Sequence, residues 1–354
     1  MHGREKSGQE PIRVCLGFPP LAAPHYLERL AALPGVVPVV LPIDPDGDWL
    51  SVSPGEPHAE PPPWAKTVAR EREAALASAD VFLALHTPDR LAERAPNLRW
   101  VQGAGAGVEQ FGKLGLAKKG VVLTNCSGLS SGSMAEWVIG RLLQVWKRLR
   151  EADEFQRAHD FKRSYGRTFA GSTIGIVGLG HIGRAVAVRA RAFGCRVLGL
   201  RRTVRAGDTD PDCDRLYPTS ALHEMLAECD AVIVAAPATA DTQHLIDAKA
   251  LAAMPRRAVL VNVARGSLVD EKELARVMKE EPLAAAILDV FDPEPLDAAS
   301  PLWDLPNVYL SAHSSVSVDR YMDDVFDLFY DNVKRYRAGE PLRNVVDMKA
   351  LGFE

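Results

Sequence analysis

The sequence predicts an α/β chain with parallel sheets in two domains, and three observations predict it. Short, continuously apolar runs alternate with helical stretches along most of the chain, the mark of strands buried on both faces of a parallel sheet. The length of 354 residues is more than one ordinary core holds and suits two. A Gly-x-Gly-x-x-Gly run, Gly178-Leu179-Gly180-His181-Ile182-Gly183, stands between one apolar run and the helix that follows it.

The elements follow in order. Residues 12–18, Ile-Arg-Val-Cys-Leu-Gly-Phe, read as a strand, 24–33 as a helix, and 36–41 and 80–85 as two further strands. The Pro- and Gly-rich stretch 44–64 reads as a loop, a surface insertion with a lid as the alternative. The apolar run 97–102 leads into Gly103-Ala104-Gly105-Ala106-Gly107, and 121–124 is the next strand. A long helix is predicted over 133–150, with Met134, Trp137, Val138, Leu142, Val145 and Leu149 on one face. A second series follows Gly171, with strands at 173–177, 196–200, 231–235, 258–263, 284–288 and 308–310 and helices at 182–193 and 222–227. From 319 the pattern is helical again and ends in an irregular tail.

Composition excludes several classes of function. A formal charge of -4 lacks the basic excess that a nucleic-acid surface needs. Five cysteines, odd in number and without a Cys-x-x-Cys pair, fit neither a disulfide scaffold nor a zinc knuckle and suit a reducing cytoplasm. The polar N-terminal stretch reads as no export signal, and no apolar run approaches the ~20 residues of a membrane span. The nine histidines show no metal-ligand spacing, so no metal is expected. Neither a Gly-x-Ser-x-Gly elbow nor a P-loop is present to support hydrolase or kinase chemistry.

The glycine run has the context of a dinucleotide fingerprint, between strand 173–177 and the helix beginning at Ile182. Gly178 permits the tight turn, Gly180 lets backbone approach a pyrophosphate, and Gly183 lets helix and strand pack closely. Free N–H groups at the helix start, with His181 and Ile182, would hold the diphosphate. The residue reading the adenine ribose is expected at the end of the next strand, ~20 residues on. That position holds Arg201, followed by Arg202 and with Arg205 close behind, and no carboxylate. Guanidinium groups suit a 2′-phosphate, so the reading favours NADP(H). NAD is the alternative if the arginines are a solvated turn.

Three more segments complete the pattern. They are 261–270, Val-Asn-Val-Ala-Arg-Gly-Ser-Leu-Val-Asp; 288–296, Leu-Asp-Val-Phe-Asp-Pro-Glu-Pro-Leu; and 300–313, which ends in Leu310-Ser311-Ala312-His313. With the glycine fingerprint, their order and spacing closely resemble the D-isomer-specific 2-hydroxyacid dehydrogenases, NADP-preferring glyoxylate/hydroxypyruvate reductases among them, from about residue 80 to about 347. The resemblance implies that Arg265 binds substrate, Glu294 is the acid partner and His313 is the general acid/base. Read singly, an Arg-Gly at a strand end is usually a turn, a Glu before Pro a loop, and a lone His structural. Chemistry explains the set. Hydride attack on a 2-oxo acid leaves an alkoxide, which needs a proton from a group that titrates near neutrality. A carboxylate on the other ring nitrogen fixes the tautomer and keeps the imidazolium available. An Arg fork grips the substrate carboxylate and polarises the carbonyl.

The resemblance further assigns Asp289 to the nicotinamide carboxamide, Val263 and Ala236 to the cofactor lining, and the backbone of Gly105-Ala106-Gly107 to the substrate carboxylate. His86 is a further candidate for the site. It implies two Rossmann-like domains with a cleft between them. Residues 1–128 and 319–354 would bind substrate, and 129–318, inserted between them, would bind cofactor. It also implies a homodimer with 133–150 near the interface. One departure stands out: the family usually has Pro before the catalytic His, whereas this chain reads Ser311-Ala312-His313-Ser314-Ser315. The competing reading is a cofactor-sensing binding protein of the same fold, like a corepressor, with little or no turnover.

Overall fold

Period-two burial builds each sheet. In Ala231–Val234, Ala231 and Ile233 enter one apolar cluster while Val232 and Val234 enter another on the opposite face. The computed structural model describes residues 10–42, 63–205, 207–280, 283–317 and 319–353. The predicted insertion at 44–64 falls mainly outside the described residues. Its last two residues, Pro63 and Trp64, already belong to a helix.

The chain divides into two compact units, Met1–Leu129 with Val318–Glu354, and Ser130–Ser317. The first contains β1 (Ile12–Leu16), α1 (Pro24–Ala31), β2 (Val36–Val40), α2 (Pro63–Ser78), β3 (Val81–Ala84), α3 (Leu91–Arg94), β4 (Trp100–Gly103) and β5 (Val122–Thr124). Its strands form a sheet of order β2-β1-β3-β4-β5, every pairing parallel. The second contains α4 (Ser131–Trp146), α5 (Leu149–Arg157), β6 (Thr173–Val177), α6 (His181–Ala192), β7 (Arg196–Leu200), β8 (Arg215–Tyr217), α7 (Leu222–Ala227), β9 (Ala231–Val234), α8 (Ala248–Ala253), β10 (Val259–Asn262), α9 (Glu271–Lys279), β11 (Ala285–Leu288) and β12 (Val308–Leu310). Its sheet, also parallel, has the order β12-β11-β10-β9-β6-β7-β8. The chain runs outward from β6 through β7 and β8, then returns to lay β9 on the other side of β6, which makes β6/β9 the topological switch point.

The helix predicted over 133–150 is in fact two helices. Arg148 takes a left-handed φ of 56°, which ends α4 and starts α5. The buried face is also rotated from the one predicted. Ala135, Val138, Ile139, Leu142 and Trp146 are buried, whereas Leu149 lies half-exposed on α5. Five of the named elements carried no predicted counterpart: α2, α3, the three-residue edge strand β8, α8 and α9. The last has a capping residue that sequence shows plainly, since the Asp270 side chain accepts from the Glu273 N–H at 3.1 Å.

After β12 the chain returns to the first unit as α10 (Tyr321–Ala338), which buries Val325, Phe326, Leu328, Phe329 and Val333 against β1, β3 and β4 residues. A buried polar network ties this helix to the sheet. The Trp100 indole N–H donates to Thr124 Oγ1 (2.7 Å), whose hydroxyl donates to Gln102 Oε1 (2.7 Å). The fully buried Asn332 of α10 donates to Gln102 Oε1 (3.3 Å) and to the Arg343 carbonyl (3.2 Å), and accepts the Arg343 N–H (2.8 Å). Every member has a partner, so the network specifies one packing rather than leaving a buried group unsatisfied.

Phe329→Ala removes a fully buried ring beside Trp100 (centroids 5.4 Å apart). It is expected to cost about 3–5 kcal/mol and to lower the urea midpoint of the first unit. An unchanged midpoint would show that α10 is not part of that core.

Candidate active site

Within the second unit, all strands point the same way, so the segments that leave them gather at one edge of the sheet. The fingerprint follows β6. Gly178 has φ +100°, and a Cβ there would come within 2.6 Å of the Ala236 backbone, so only glycine lets the turn abut the segment that leaves β9. At Gly183 a Cβ would lie 2.1 Å from the Gly178 carbonyl oxygen. At Gly180, by contrast, a Cβ would meet nothing within 4 Å. This exposed glycine precedes α6, whose first N–H groups have no partner within the helix. The turn is therefore packed from beneath and open above, which fits a diphosphate laid on the backbone. His181 is exposed, and Ile182 is partly buried.

At the end of β7, Arg201 is turned back towards its own loop. Its Nε donates to the Thr203 carbonyl (3.1 Å), Nη2 to Asp208 Oδ2 (3.4 Å), and Nη1 lies 3.9 Å from Asp210 Oδ2. Arg202 and Arg205 are exposed. Asp210 is gripped by Arg184 through two bonds of 2.9 and 2.7 Å, which hold its carboxyl below the usual range and push the Arg184 guanidinium upward.

The reactive residues follow β10, β11 and β12, three neighbours in the sheet. After β10, Asn262 shapes the turn. Its Nδ2 donates to the Arg265 carbonyl (2.9 Å) and its Oδ1 accepts the Ala264 N–H (3.1 Å). Val263 is buried, and the partly buried Arg265 sends Nη1 to the Ala264 carbonyl (2.8 Å). Gly266 then lies so close to the chain after β11 that a Cβ would sit 1.9 Å from the Phe291 carbonyl carbon. That chain carries Glu294, whose Oε1 accepts the Phe291 N–H (2.9 Å). Its Oε2 meets His313 Nδ1 at 2.9 Å. His313 is half-exposed, and its Nε2 makes no hydrogen bond among the described residues. The structure therefore brings Glu294 and His313 into direct contact and stacks the Arg265 turn against the Glu294 loop.

Asp289, the first residue after β11, is fully buried. Its carboxylate accepts the Ser311 hydroxyl (2.6 Å) and the N–H groups of Ser314 (2.9 Å) and Ser315 (3.2 Å), while its carbonyl accepts the His313 N–H (2.8 Å). His313 itself sits in the left-handed region at φ 49°. The segment that lacks the family's proline, at Ala312, is thus the one that binds Asp289, through the Ser311 hydroxyl and the backbone of Ser314 and Ser315, a role sequence reasoning missed. It also missed Glu271, which accepts the Asp292 N–H (2.9 Å). Burial, helped by the charges of Asp292 and Glu294, pushes the Glu271 carboxyl above the usual range.

In the first unit, the loop after β4 has its carbonyls tied down. Ala104 accepts the Tyr321 hydroxyl (2.9 Å), Gly105 the Cys126 N–H (2.9 Å), and Ala106 the Asn125 side chain (2.8 Å). Among the described residues, no hydrogen bond uses the N–H groups of Gly105, Ala106 or Gly107. His86 is exposed just past β3. No group of side chains among the described residues has the makings of a metal site.

Asp289→Ala strands the Ser314 and Ser315 amides, at a cost of about 1–3 kcal/mol. Amide exchange at residues 313–315 is expected to quicken by about ten- to a hundredfold. Unchanged protection would show that another group holds the loop.

Residues 139–315 match the model of the D-isomer specific 2-hydroxyacid dehydrogenase, NAD binding domain. A glyoxylate reductase of Korarchaeum cryptofilum is 33% identical over 265 residues, covering 73% of this chain and 79% of that protein. Among solved structures, a D-isomer specific 2-hydroxyacid dehydrogenase family protein from Aeromonas salmonicida superposes with a TM-score of 0.77 at 28% identity, over 96% of this chain and 100% of its own. An NADPH-dependent glyoxylate/hydroxypyruvate reductase from Sinorhizobium meliloti, in complex with NADP and sulfate, gives 0.74 at 26% identity, over 98% and 100%.

Proposed function

Because the chain belongs to the D-isomer specific 2-hydroxyacid dehydrogenase family, we propose that it is an NAD(P)-dependent reductase of small 2-oxo acids, of the glyoxylate/hydroxypyruvate type. The observation that carries the reading is the 2.9 Å contact of His313 Nδ1 with Glu294, at the sheet edge that also presents the glycine turn.

The open backbone at Gly180, the start of α6 at His181 and Ile182, and the turn glycines Gly178 and Gly183 would hold the cofactor diphosphate. Ala236 and Val263 would line its path, and Asp289 would meet the carboxamide. When bound, the reduced nicotinamide supplies a hydride for C2 of the substrate. Arg265 binds the substrate carboxylate and draws electron density onto the carbonyl oxygen. Glu294 holds Nδ1, which orients the ring and leaves Nε2 to give its proton to that oxygen. In the oxidative direction the same nitrogen takes the proton back. The N–H groups of Gly105, Ala106 and Gly107 are proposed to receive the substrate carboxylate, a reading supported by their lack of hydrogen-bond partners among the described residues. A cofactor sensor without turnover would have no use for this acid–base pair and is not favoured.

The finer cofactor preference is NADP(H). It is supported by Arg201 and Arg202, which take the two sequence positions directly after β7 where an acid would favour NAD, and by the NADP bound to the Sinorhizobium meliloti reductase. A homodimer is proposed with the α4–α5 region near its interface. The same unit exposes Leu149, Phe161 and Tyr165, large apolar side chains that a second copy would cover. Five free, buried cysteines suit a cytoplasmic setting, and among the described residues no helix is long and apolar enough to cross a membrane.

Steady-state reduction of glyoxylate and hydroxypyruvate is expected to be faster with NADPH than with NADH. The absence of turnover on any small 2-oxo acid would overturn the assignment. His313→Ala is expected to lower kcat by about 10²–10⁴-fold while the cofactor Kd is retained, and normal turnover in that variant would remove His313 from the mechanism. Arg201→Asp is expected to move the preference towards NADH. An unchanged NADPH/NADH ratio would show that this arginine does not read the phosphate.

A further inference from the structure

The loop after β7 holds an acid where the cofactor reading needs only bases. Asp208 and Arg201 are comparably exposed, with their charged atoms 3.4 Å apart, and the same Oδ2 accepts the Arg205 N–H at 2.9 Å. The neighbouring Asp210 is different. Its carboxylate is nearly inaccessible and already saturated by both terminal nitrogens of Arg184, so its 3.9 Å approach to Arg201 is secondary. Asp212 is likewise taken by Arg184, at 2.8 Å. Asp208 has no cationic side chain near it other than Arg201 among the described residues. Arg202 and Arg205, which are more exposed than Arg201, form no ion pair among the described residues.

We propose that Asp208 is a specificity-determining residue, whose carboxylate occupies Arg201 and must give way to the cofactor's 2′-phosphate, so that it holds down the preference for NADP(H) over NAD(H). The inference rests on the NADP(H) reading given above. A phosphate that approaches Arg201 meets a guanidinium whose Nε and Nη2 are already donating and a carboxylate of its own sign beside it. A ribose with a free 2′-hydroxyl carries no charge to be repelled. The penalty therefore falls on the phosphorylated ligand alone.

Asp208→Asn removes the charge and keeps an oxygen for the Arg205 N–H, so the turn is retained. Calorimetric titration with adenosine 2′,5′-bisphosphate and with adenosine 5′-monophosphate isolates the 2′-phosphate without any turnover. In Asp208→Asn the bisphosphate is expected to bind about five- to tenfold tighter, with the monophosphate unchanged, and the gain should vanish when Arg201→Ala is added. Asp208→Ser, whose hydroxyl also accepts in such turns, should show the same gain. Unchanged or weaker bisphosphate binding overturns the proposal, as does a parallel change for the monophosphate or a gain that survives Arg201→Ala. The two readings fail separately. If Arg201→Ala alone weakens the bisphosphate while both Asp208 variants are silent, NADP(H) recognition stands and only the role of Asp208 falls. If Arg201→Ala alone is silent, the reading of Arg201 falls and the role of Asp208 falls with it.

Discussion

A carboxylate with no exposed surface is costly unless hydrogen bonds replace its water, and Asp289 meets that condition with donors from a single loop. The dependence runs both ways. Without the Ser311 hydroxyl and the amides of Ser314 and Ser315, the buried charge would be unsupported. Without the charge, the loop after β12 would keep the backbone bonds of Ser311 and His313 but lose those of the Ser314 and Ser315 amides. Because β11 and β12 are adjacent and in register, the first residue after one strand lies under the loop that leaves the other. His313 accordingly enters a backbone region uncommon for a non-glycine residue, and its ring reaches Glu294.

The remaining reactive group is tied in by the lack of a side chain. Gly266 allows the Arg265 turn to lie directly on Phe291 and Asp292, and the Phe291 N–H in turn holds one oxygen of Glu294. Asn262, spending both ends of its amide on this turn, fixes it from within. Three strand ends thereby act as one rigid edge, built almost entirely from backbone contacts and short polar side chains. Such a platform holds side-chain geometry more closely than separate flexible loops would.

Much of this was legible in the sequence because the signals were local. Fully apolar strands such as Ala231–Val234 and the glycine fingerprint carry their meaning within a few residues, and the Arg-Gly, Glu-Pro and His segments carry theirs in their common order and spacing. What escaped was set by distant partners or by single backbone angles. Nothing near Arg148 announces a left-handed residue, so one periodic stretch read as one helix. The edge strand β8, three residues long, is too short for periodicity to show. The bonds of Asp289 to Ser311, Ser314 and Ser315 also escaped, because they span more than twenty residues of sequence. The two oxygens of Asp208 and Asp210 near Arg201 were equally invisible, since a basic run suggests its anion but not its internal counter-ions.

The first unit is discontinuous, and its polar network depends on Asn332, far along the chain from the strands that it joins. During synthesis, β1 to β5 leave the ribosome long before the helix that covers Trp100. The whole inserted unit, by contrast, has all of its strands available as soon as residue 317 has emerged. The inserted unit can therefore complete its sheet before the first unit has the helix that closes its core. The nascent chain must carry an unfinished sheet, with Leu83 and Trp100 awaiting cover, through the assembly of its neighbour. For this architecture, chaperone demand would concentrate on the earliest-made residues.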